Sequence, residues 1–145
     1  RDQLRHEGRT LVMTNGCFDV LHAGHVNYIN EAARKGDQLV IAVNTDDSVR
    51  GLKGDRRPVN TLEARLSVLA ALQDVDWLVS FSELDPKNLY GEILPDVLVK
   101  GADYEDKEIV GAEDVIKAGG RVELIHFLNG YSTTSIIEKI KGSET

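Results

Sequence analysis

Two histidines, His22 and His25, lie three residues apart on either side of Gly24, within the segment TNGCFDVLHAGH at 14–25. Apolar residues recur at helical spacing from His25 onward, so the pair lies where a helix begins. The first turn of a helix has free N–H groups and a partial positive charge, and a glycine lets the backbone approach a ligand closely. These features predict an anion-binding site to which two imidazoles and a helix N-terminus donate hydrogen bonds.

The same pair of histidines could instead ligate zinc. Cys17, His6 and His126 are the soft ligands left to complete such a site, and nothing in their spacing indicates a closed one, so we expect no metal centre built by the protein. Neither the GxGxxG pattern nor the GxxxxGK pattern follows the first predicted strand. Cys17 is the only cysteine, which excludes an internal disulfide, and we interpret it as a small packing residue rather than a nucleophile.

A second group of candidates is a glycine-punctuated loop, GLKGDRRPV at 51–59, which carries Lys53, Arg56 and Arg57. Arg65 follows in the next predicted helix. The chain has 17 Lys and Arg against 24 Asp and Glu and a formal net charge of −7, so a local cluster of cations is informative and suits a polyphosphate. We expect Lys53 to close on the phosphates, Arg65 to clamp a phosphate from the side, and Arg56 to be a bystander.

Two later segments lie where a strand ends or a helix begins. In VKGADY at 99–104, Gly101 permits close backbone approach to a ligand, and Asp103 either binds the sugar or base of a nucleotide or caps a turn. In YSTTSIIE at 131–138, the hydroxyls of Ser132, Thr133 and Thr134 lie at a helix start, where capping and anion binding are compatible. We therefore predict a second phosphate cradle at the last helix.

Short apolar runs alternate with helix-like stretches along the whole chain. Such alternation predicts parallel pairing and a doubly wound, Rossmann-like α/β sheet of five strands, with ligands beyond the carboxyl ends of the strands. The length indicates a single domain over 1–145, with a core of about 11–141, and both ends are expected to be loose. The predicted strands are 11–14, 38–44, 77–79, 97–99 and 121–125, and the predicted helices are 25–34, 62–73, 87–93, 111–117 and 132–141.

Composition and hydropathy exclude several classes of protein. The acidic balance argues against a chain-wide basic surface for nucleic acid. No apolar run is long enough to cross a bilayer and no signal-peptide pattern opens the sequence. We therefore expect no membrane insertion and a cytoplasmic location.

The segment TNGCFDVLHAGH resembles the signature of the cytidylyltransferase-like nucleotidyltransferase superfamily, in which the histidines of an HxGH motif hold a triphosphate. With LKGDRRPVN, ILPDVLVKGADY and STTSII, the resemblance extends over about 12–140 and is greatest to the adenylyltransferases that make ADP-heptose. It implies AMP transfer from ATP to D-glycero-β-D-manno-heptose 1-phosphate with release of pyrophosphate, in the pathway to the bacterial lipopolysaccharide inner core. Such enzymes occur as separate proteins or as the C-terminal domain of a bifunctional kinase–adenylyltransferase.

The resemblance also implies roles for individual residues and partners. His22, His25 and Lys53 are expected to be catalytic, and Asp19 and Arg57 to contact the sugar phosphate. Mg²⁺ is expected to accompany ATP, the second substrate is a sugar 1-phosphate, and the chain is compatible with a homo-oligomer. The residues expected to bind the nucleotide or its phosphates are Thr14, Asn15, Gly16, Cys17, Phe18, Gly24, Arg65, Lys100, Gly101, Asp103, Ser132, Thr133 and Thr134.

Two other functions remain open from the sequence. A cytidylyltransferase acting on glycerol 3-phosphate or a similar alcohol phosphate shares the first and last motifs, and motif spacing alone does not reveal the base. A non-catalytic nucleotide-binding module on the same fold is the other possibility. Such a module is expected to have lost part of the anion site, whereas both histidines, Lys53 and the STT segment are present here.

Overall fold

Five parallel strands form one sheet in the order β3-β2-β1-β4-β5 in the computed structural model, which describes residues 1–102 and 109–143. The predicted doubly wound, Rossmann-like sheet is confirmed. The strands are β1 (Leu11–Gly16), β2 (Gln38–Asn44), β3 (Trp77–Phe81), β4 (Val97–Gly101) and β5 (Arg121–Ile125). The helices are α1 (Asp2–His6), α2 (Ala23–Ala33), α3 (Asp46–Lys53), α4 (Leu62–Ala70), α5 (Lys87–Ile93), α6 (Ala112–Lys117) and α7 (Thr133–Gly142).

The central strands are apolar because helices cover the sheet on both faces. β2 reads QLVIAVN, and its residues from Leu39 onward are all buried. Aspartates fix where two strands begin. Asp76 and Asp96 immediately precede β3 and β4, and their carboxylates accept the backbone N–H groups of Leu39 and Leu11, each at 2.8 Å. These bonds join adjacent strands at the amino edge of the sheet.

Alternate residues of β1 face two separate apolar clusters. Val12 packs with residues of α2 and α4, such as Ile29 and Leu69. Met13 packs on the opposite side, with residues of α5 and α6 such as Tyr90. We call these two sides of the sheet the α2 face and the α5 face. Among the described residues, no helix has both the length and the apolar character needed to cross a membrane.

The strand order places a topological switch between β1 and β4. From β1 the chain runs outward through β2 and β3, and then returns through α5 to β4 on the other side of β1. In open parallel sheets, the crevice at such a switch, beyond the carboxyl ends of the two strands, is where ligands bind. The segment that carries the two histidines leaves β1 at this edge.

Two helices were not predicted from the sequence. The N-terminal residues expected to be loose form α1, where Leu4 is nearly buried and Arg5 pairs with Asp96 at 3.3 Å. The region before the cationic loop forms α3, whose N-cap Thr45 accepts the N–H of Ser48, so Lys53 ends a helix instead of lying within a loop. Both helices are short and mostly polar, which leaves no clear hydrophobic period in the sequence.

Candidate active site

His22 and His25 lie together at the start of α2, with stacked rings whose centroids are 3.9 Å apart. Nδ1 of His22 accepts the backbone N–H of Gly24 at 3.0 Å, and Nδ1 of His25 accepts the backbone N–H of His22 at 3.3 Å. Because Nδ1 is an acceptor in both rings, each neutral imidazole carries its proton on Nε2. The pair therefore offers two Nε2–H donors beside the free N–H groups of the helix.

Both histidines favour the uncharged state. Burial lowers the pKa of His25 to about 4, with a further contribution from the charge of His22. Burial also lowers the pKa of His22 below its ordinary value. At neutral pH the two rings are thus hydrogen-bond donors without a charge, and positive charge for binding an anion must come from elsewhere.

Gly24 makes the close packing around the histidines possible. A Cβ at this position would lie 2.8 Å from Cε1 of His22 and 3.0 Å from Cβ of Tyr131. The sequence predicted that Gly24 allows backbone to approach a ligand. In the structure, the missing side chain also makes room for the His22 ring and for the segment before α7.

Gly16 and Phe18 shape the turn that leads from β1 to the histidines. Phe18 has a left-handed backbone, with φ of 50°, and its ring is buried against Gly16, where a Cβ would lie 2.8 Å from Cε2 of the ring. The same ring lies 5.4 Å from the ring of His25. The Phe18 ring thus packs against the His25 ring. The predicted contact of Gly16 and Phe18 with nucleotide phosphates stays a prediction.

Three cations converge on the carboxyl end of β1, around Cys17. Burial raises the pKa of the Cys17 thiol, and the positive charges of Lys53, Arg65 and Arg57 partly offset that increase. All three are therefore close enough to the first loop to influence it electrostatically. Cys17 itself is half-buried, and its raised pKa agrees with the interpretation as a packing residue rather than a nucleophile.

Asp19 anchors the loop that carries Arg57. Its carboxylate, only 3% exposed, accepts Nε of Arg57 at 2.7 Å and the backbone N–H groups of Val59 and Asn60 at 2.8 and 2.9 Å. Burial alone would raise the pKa of this carboxyl, but the bonds from Asn60, Val59 and Arg57 outweigh it and lower the pKa. Asp19 and Arg57, both predicted to contact the sugar phosphate, are thus bound to each other.

Arg65 is buried, with 1% exposure, and donates to four protein acceptors. Nε donates to the carbonyl of Asn60 at 3.1 Å, and Nη2 donates to the carboxylate of Asp46 at 2.8 Å. Nη1 donates to the carbonyls of Cys17 at 2.8 Å and Asn44 at 2.7 Å. This geometry differs from the predicted phosphate clamp, because the guanidinium joins the ends of β1 and β2 to α4 instead of facing an open site.

Thr14 is also enclosed. Its hydroxyl, on the α2 face, lies 2.8 Å from the hydroxyl of Tyr28 and donates to the carbonyl of Val99 at 3.1 Å. The side chain has no exposed surface, so a contact between this hydroxyl and a nucleotide has no room in the structure. Gly101 is the last residue of β4, at the predicted ligand edge, while Asp103 lies outside the described residues.

Asn15 and Lys100 meet on the α5 face, together with a residue that the sequence did not single out. Oδ1 of Asn15 accepts the hydroxyl of Tyr90 at 2.5 Å and also accepts Nζ of Lys100. Nζ of Lys100 lies 5.1 Å from the centroid of the Tyr90 ring. Tyr90 reads as an apolar residue of a short helix, and only the fold reveals that its hydroxyl reaches β1.

The start of α7 lies against the histidine loop. Ser132 is the N-cap and accepts the N–H of Ser135 at 3.0 Å, while Oγ1 of Thr133 donates to the carbonyl of Val20 at 3.2 Å. The ring of Tyr131 is stacked 6.4 Å from that of His22. The structure therefore brings the predicted second cradle beside the first, with the Thr134 side chain exposed next to the cap.

Comparison with known proteins identifies the family. The model of the cytidylyltransferase-like family matches residues 13–139. The chain belongs to the cytidylyltransferase-like family. This membership confirms the prediction of a nucleotidyltransferase, and the match includes the histidine pair, the cationic loop and the STT segment.

Relatives with high sequence identity carry one name. The chain is 56% identical over 139 residues to "Bifunctional protein HldE" of Haemophilus influenzae (strain PittGG), which is 96% of this chain and 29% of that protein. It is 57% identical over 136 residues to the protein of that name from Vibrio vulnificus (strain YJ016), covering 94% of this chain and again 29% of the relative. The chain thus spans less than a third of the length of these relatives.

A solved structure is also similar to this chain. The crystal structure of the lipopolysaccharide core biosynthesis protein from Thermoplasma volcanium GSS1 is similar, with 30% sequence identity and a TM-score of 0.66. The alignment covers 86% of this chain and all of that one. The name of that structure refers to lipopolysaccharide core biosynthesis, which confirms the predicted resemblance to a protein of this process.

Proposed function

We propose that this chain transfers AMP from ATP to D-glycero-β-D-manno-heptose 1-phosphate, giving ADP-heptose and pyrophosphate for the lipopolysaccharide inner core. Family membership supports the coarser statement, a nucleotidyltransferase acting on a nucleotide and a sugar phosphate. The relatives named HldE and the lipopolysaccharide core biosynthesis protein support the assignment to heptose. The choice of ATP and of this acceptor goes beyond both comparisons and is the part that needs an experiment.

The observation that carries the proposal is the pair of Nε2–H donors on His22 and His25 at the start of α2. An oxygen of the acceptor phosphate attacks the α-phosphorus of ATP, and the bond from that phosphorus to the oxygen of the leaving pyrophosphate breaks. The attacking oxygen is already an anion at neutral pH, so no general base and no protein nucleophile are needed. Catalysis then depends on positioning and on preorganised donors where charge develops.

Groups around the histidines supply the positive charge and the further hydrogen-bond donors that this reaction needs. Lys53 supplies positive charge near the first loop, and the α7 N-terminus at Ser132 supplies further donors. MgATP is the expected form of the nucleotide, with the ion neutralising charge on the leaving pyrophosphate. We propose that Mg²⁺ arrives with the substrate, because proteins usually bind Mg²⁺ through one or two carboxylates together with substrate phosphates rather than in a cage of protein ligands.

The test is a competition between donors and between acceptors. The protein is incubated with equal ATP and CTP and with heptose 1-phosphate and glycerol 3-phosphate together, and products are identified by mass. ADP-heptose is the expected product. Predominant CDP-glycerol would overturn the substrate assignment and leave a nucleotidyltransferase, whereas no product with any pair would favour a non-catalytic binding module.

Variants connect the activity to the site. His22→Ala and His25→Ala should each lower turnover by about a hundredfold while the protein stays folded, because each removes one preorganised donor. His6→Ala is the matched control, since it makes the same change on exposed α1, and it should retain wild-type turnover. Near-normal turnover in both site variants, with folding confirmed by circular dichroism, would refute the assignment.

A further inference from the structure

The side-chain amide of Asn15 has a fixed orientation on the α5 face. Its Oδ1 accepts two donors at once, the hydroxyl of Tyr90 at 2.5 Å and Nζ of Lys100. An amide nitrogen cannot accept either bond, so Oδ1 must face both donors and Nδ2 must point away from them. Tyr90 is fully buried and Lys100 nearly so, which holds this arrangement in place.

The other end of the same amide has no protein partner. Nδ2 of Asn15 donates no hydrogen bond to any residue within 1–102 and 109–143, and the side chain is only half-buried. Asn15 belongs to the last two residues of β1, at the edge where ligands bind in such sheets. A donor fixed at one end and open at the other is the kind of group that orients a substrate.

We propose that Nδ2 of Asn15 donates a hydrogen bond to the acceptor substrate, and that Tyr90 is the positioning residue that aims it. This inference rests on the proposed function, because it assumes that a phosphorylated sugar binds beside the nucleotide. Tyr90 does not touch the substrate, and acts by holding Oδ1 of Asn15 together with Lys100.

The location favours the acceptor over the nucleotide. The histidine pair and the start of α7, which offer donors for the triphosphate, lie together on the α2 side of the β1 end. Asn15 faces the opposite side. Beyond the carboxyl end of β3, next to α5, a crevice of about 300 Å³ is lined by hydroxyl, amide and carboxylate groups, the chemistry that binds a polyol: Thr45, Ser80, Ser82, Glu83, Asn88 and Glu92.

The crevice and the Asn15 amide share α5. Leu89 lines the crevice, and the next residue, Tyr90, holds Asn15. A sugar with its hydroxyls in the crevice would extend towards the carboxyl end of β1, where the acceptor phosphate must meet the α-phosphate of the nucleotide. Asn15, one of the last two residues of β1, lies at that carboxyl end.

The central test compares Michaelis constants for the two substrates. Tyr90→Phe should raise KM for D-glycero-β-D-manno-heptose 1-phosphate by about tenfold, the equivalent of one well-oriented hydrogen bond, with a much smaller change in KM for ATP. Asn15→Asp keeps an oxygen that accepts from Tyr90 and Lys100 but removes the Nδ2 donor. It should raise the acceptor KM at least as much, with the fold retained.

A double-mutant cycle tests whether Tyr90 acts through Asn15. In the Asn15→Ala background, Tyr90→Phe should not change the acceptor KM further, because the amide that Tyr90 orients is no longer present. The matched control is Tyr28→Phe, which removes a buried hydroxyl that bridges β1 and β4 on the opposite face. It should lower the melting temperature about as much as Tyr90→Phe, without the selective rise in the acceptor KM.

The outcomes separate this inference from the proposed function. If the wild type forms ADP-heptose and either Tyr90→Phe or Asn15→Asp leaves the acceptor KM unchanged, the inference is wrong and the proposed function stands. An equal rise in KM for both substrates, or the same effect from Tyr28→Phe, would indicate a general loss of structure and would also overturn it. If the wild type yields no product with any pair, the proposed function fails and the inference fails with it.

Discussion

The depressed pKa of His25 predicts that the stability of this fold depends on pH in a specific range. In the folded chain the imidazole is half-buried beside His22 and has a pKa of about 4, against an ordinary value of 6.5. Below pH 6.5 the His25 imidazole is mostly protonated in the unfolded chain but stays mostly neutral in the folded chain until the pH approaches 4. The neutral ring therefore contributes fully above pH 6.5, and stability is lost as the pH falls from 6.5 towards 4.

The size of the effect follows from these two values. At pH 5 the His25 imidazole is about 97% protonated in the unfolded chain and about 10% protonated in the folded one, so proton linkage lowers the free energy of unfolding by about 2 kcal/mol between pH 7 and pH 5. This is a large share of the stability of a typical domain, about 5–15 kcal/mol. It should be visible without any ligand.

Urea unfolding at pH 7 and pH 5 measures this directly. His25→Gln removes the titrating ring, so the variant should lose about 2 kcal/mol less than the wild type over the same range. The carboxylates are the same in both proteins, so their contribution to the pH dependence cancels in the comparison. His6→Gln, which changes an exposed ring on α1, is the control and should keep the wild-type dependence. Equal pH dependence in wild type and His25→Gln, or an NMR titration of His25 centred near 6.5, would refute the reasoning.

Three further predictions concern the loops around the histidines. Lys53→Ala should reduce kcat more than it weakens ATP binding measured by calorimetry, because a flexible cation engages most as charge builds in the transition state; a large loss of affinity with unchanged kcat would contradict this. Gly24→Ala places a Cβ 2.8 Å from the His22 ring, so it should lower kcat/KM by at least tenfold with little change in secondary structure by circular dichroism, and wild-type kinetics would disprove the close packing. Asp19→Asn should destabilise the fold by about 1–3 kcal/mol in urea unfolding, because a charged acceptor of three hydrogen-bonding residues is lost, and an unchanged midpoint would argue against its anchoring role.

The sheet was predictable from the sequence because its central strands are apolar runs and its edge strands, β3 and β5, are short segments rich in large apolar residues. The bounds of β2 and β5 match the predicted 38–44 and 121–125, and those of α5 match the predicted 87–93. The missed helices, α1 and α3, are short and polar, so their stability comes from docking and from the Thr45 cap rather than from an apolar stripe. Local sequence does not record such tertiary contributions.

The sequence predicted which residues gather at the carboxyl edge of the sheet, but it did not predict which groups each of them binds. Spacing places the histidines at a helix start, yet the direction of each Nε2–H depends on which backbone group bonds Nδ1. Likewise, the sequence shows Arg65 as a cation near the ligand edge, and only the fold shows that its donors are occupied by backbone carbonyls and Asp46. Tyr90 has no sequence signal beyond an apolar helical position.

Ion pairing distinguishes Lys53 from the two arginines near the end of β1. Three cations, Lys53, Arg57 and Arg65, lie near the end of β1, and two carboxylates, Asp19 and Asp46, bind two of them. Lys53, by contrast, forms no ion pair with any residue that the structure describes. Since both histidines are neutral, Lys53 at the end of α3 is the one of these three cations whose charge no described carboxylate offsets. Removing Arg57 or Arg65 would leave Asp19 or Asp46 without its ion-pair partner and with backbone N–H donors alone, whereas removing Lys53 would leave no carboxylate unpaired. The two kinds of variant should therefore differ in their effect on substrate binding.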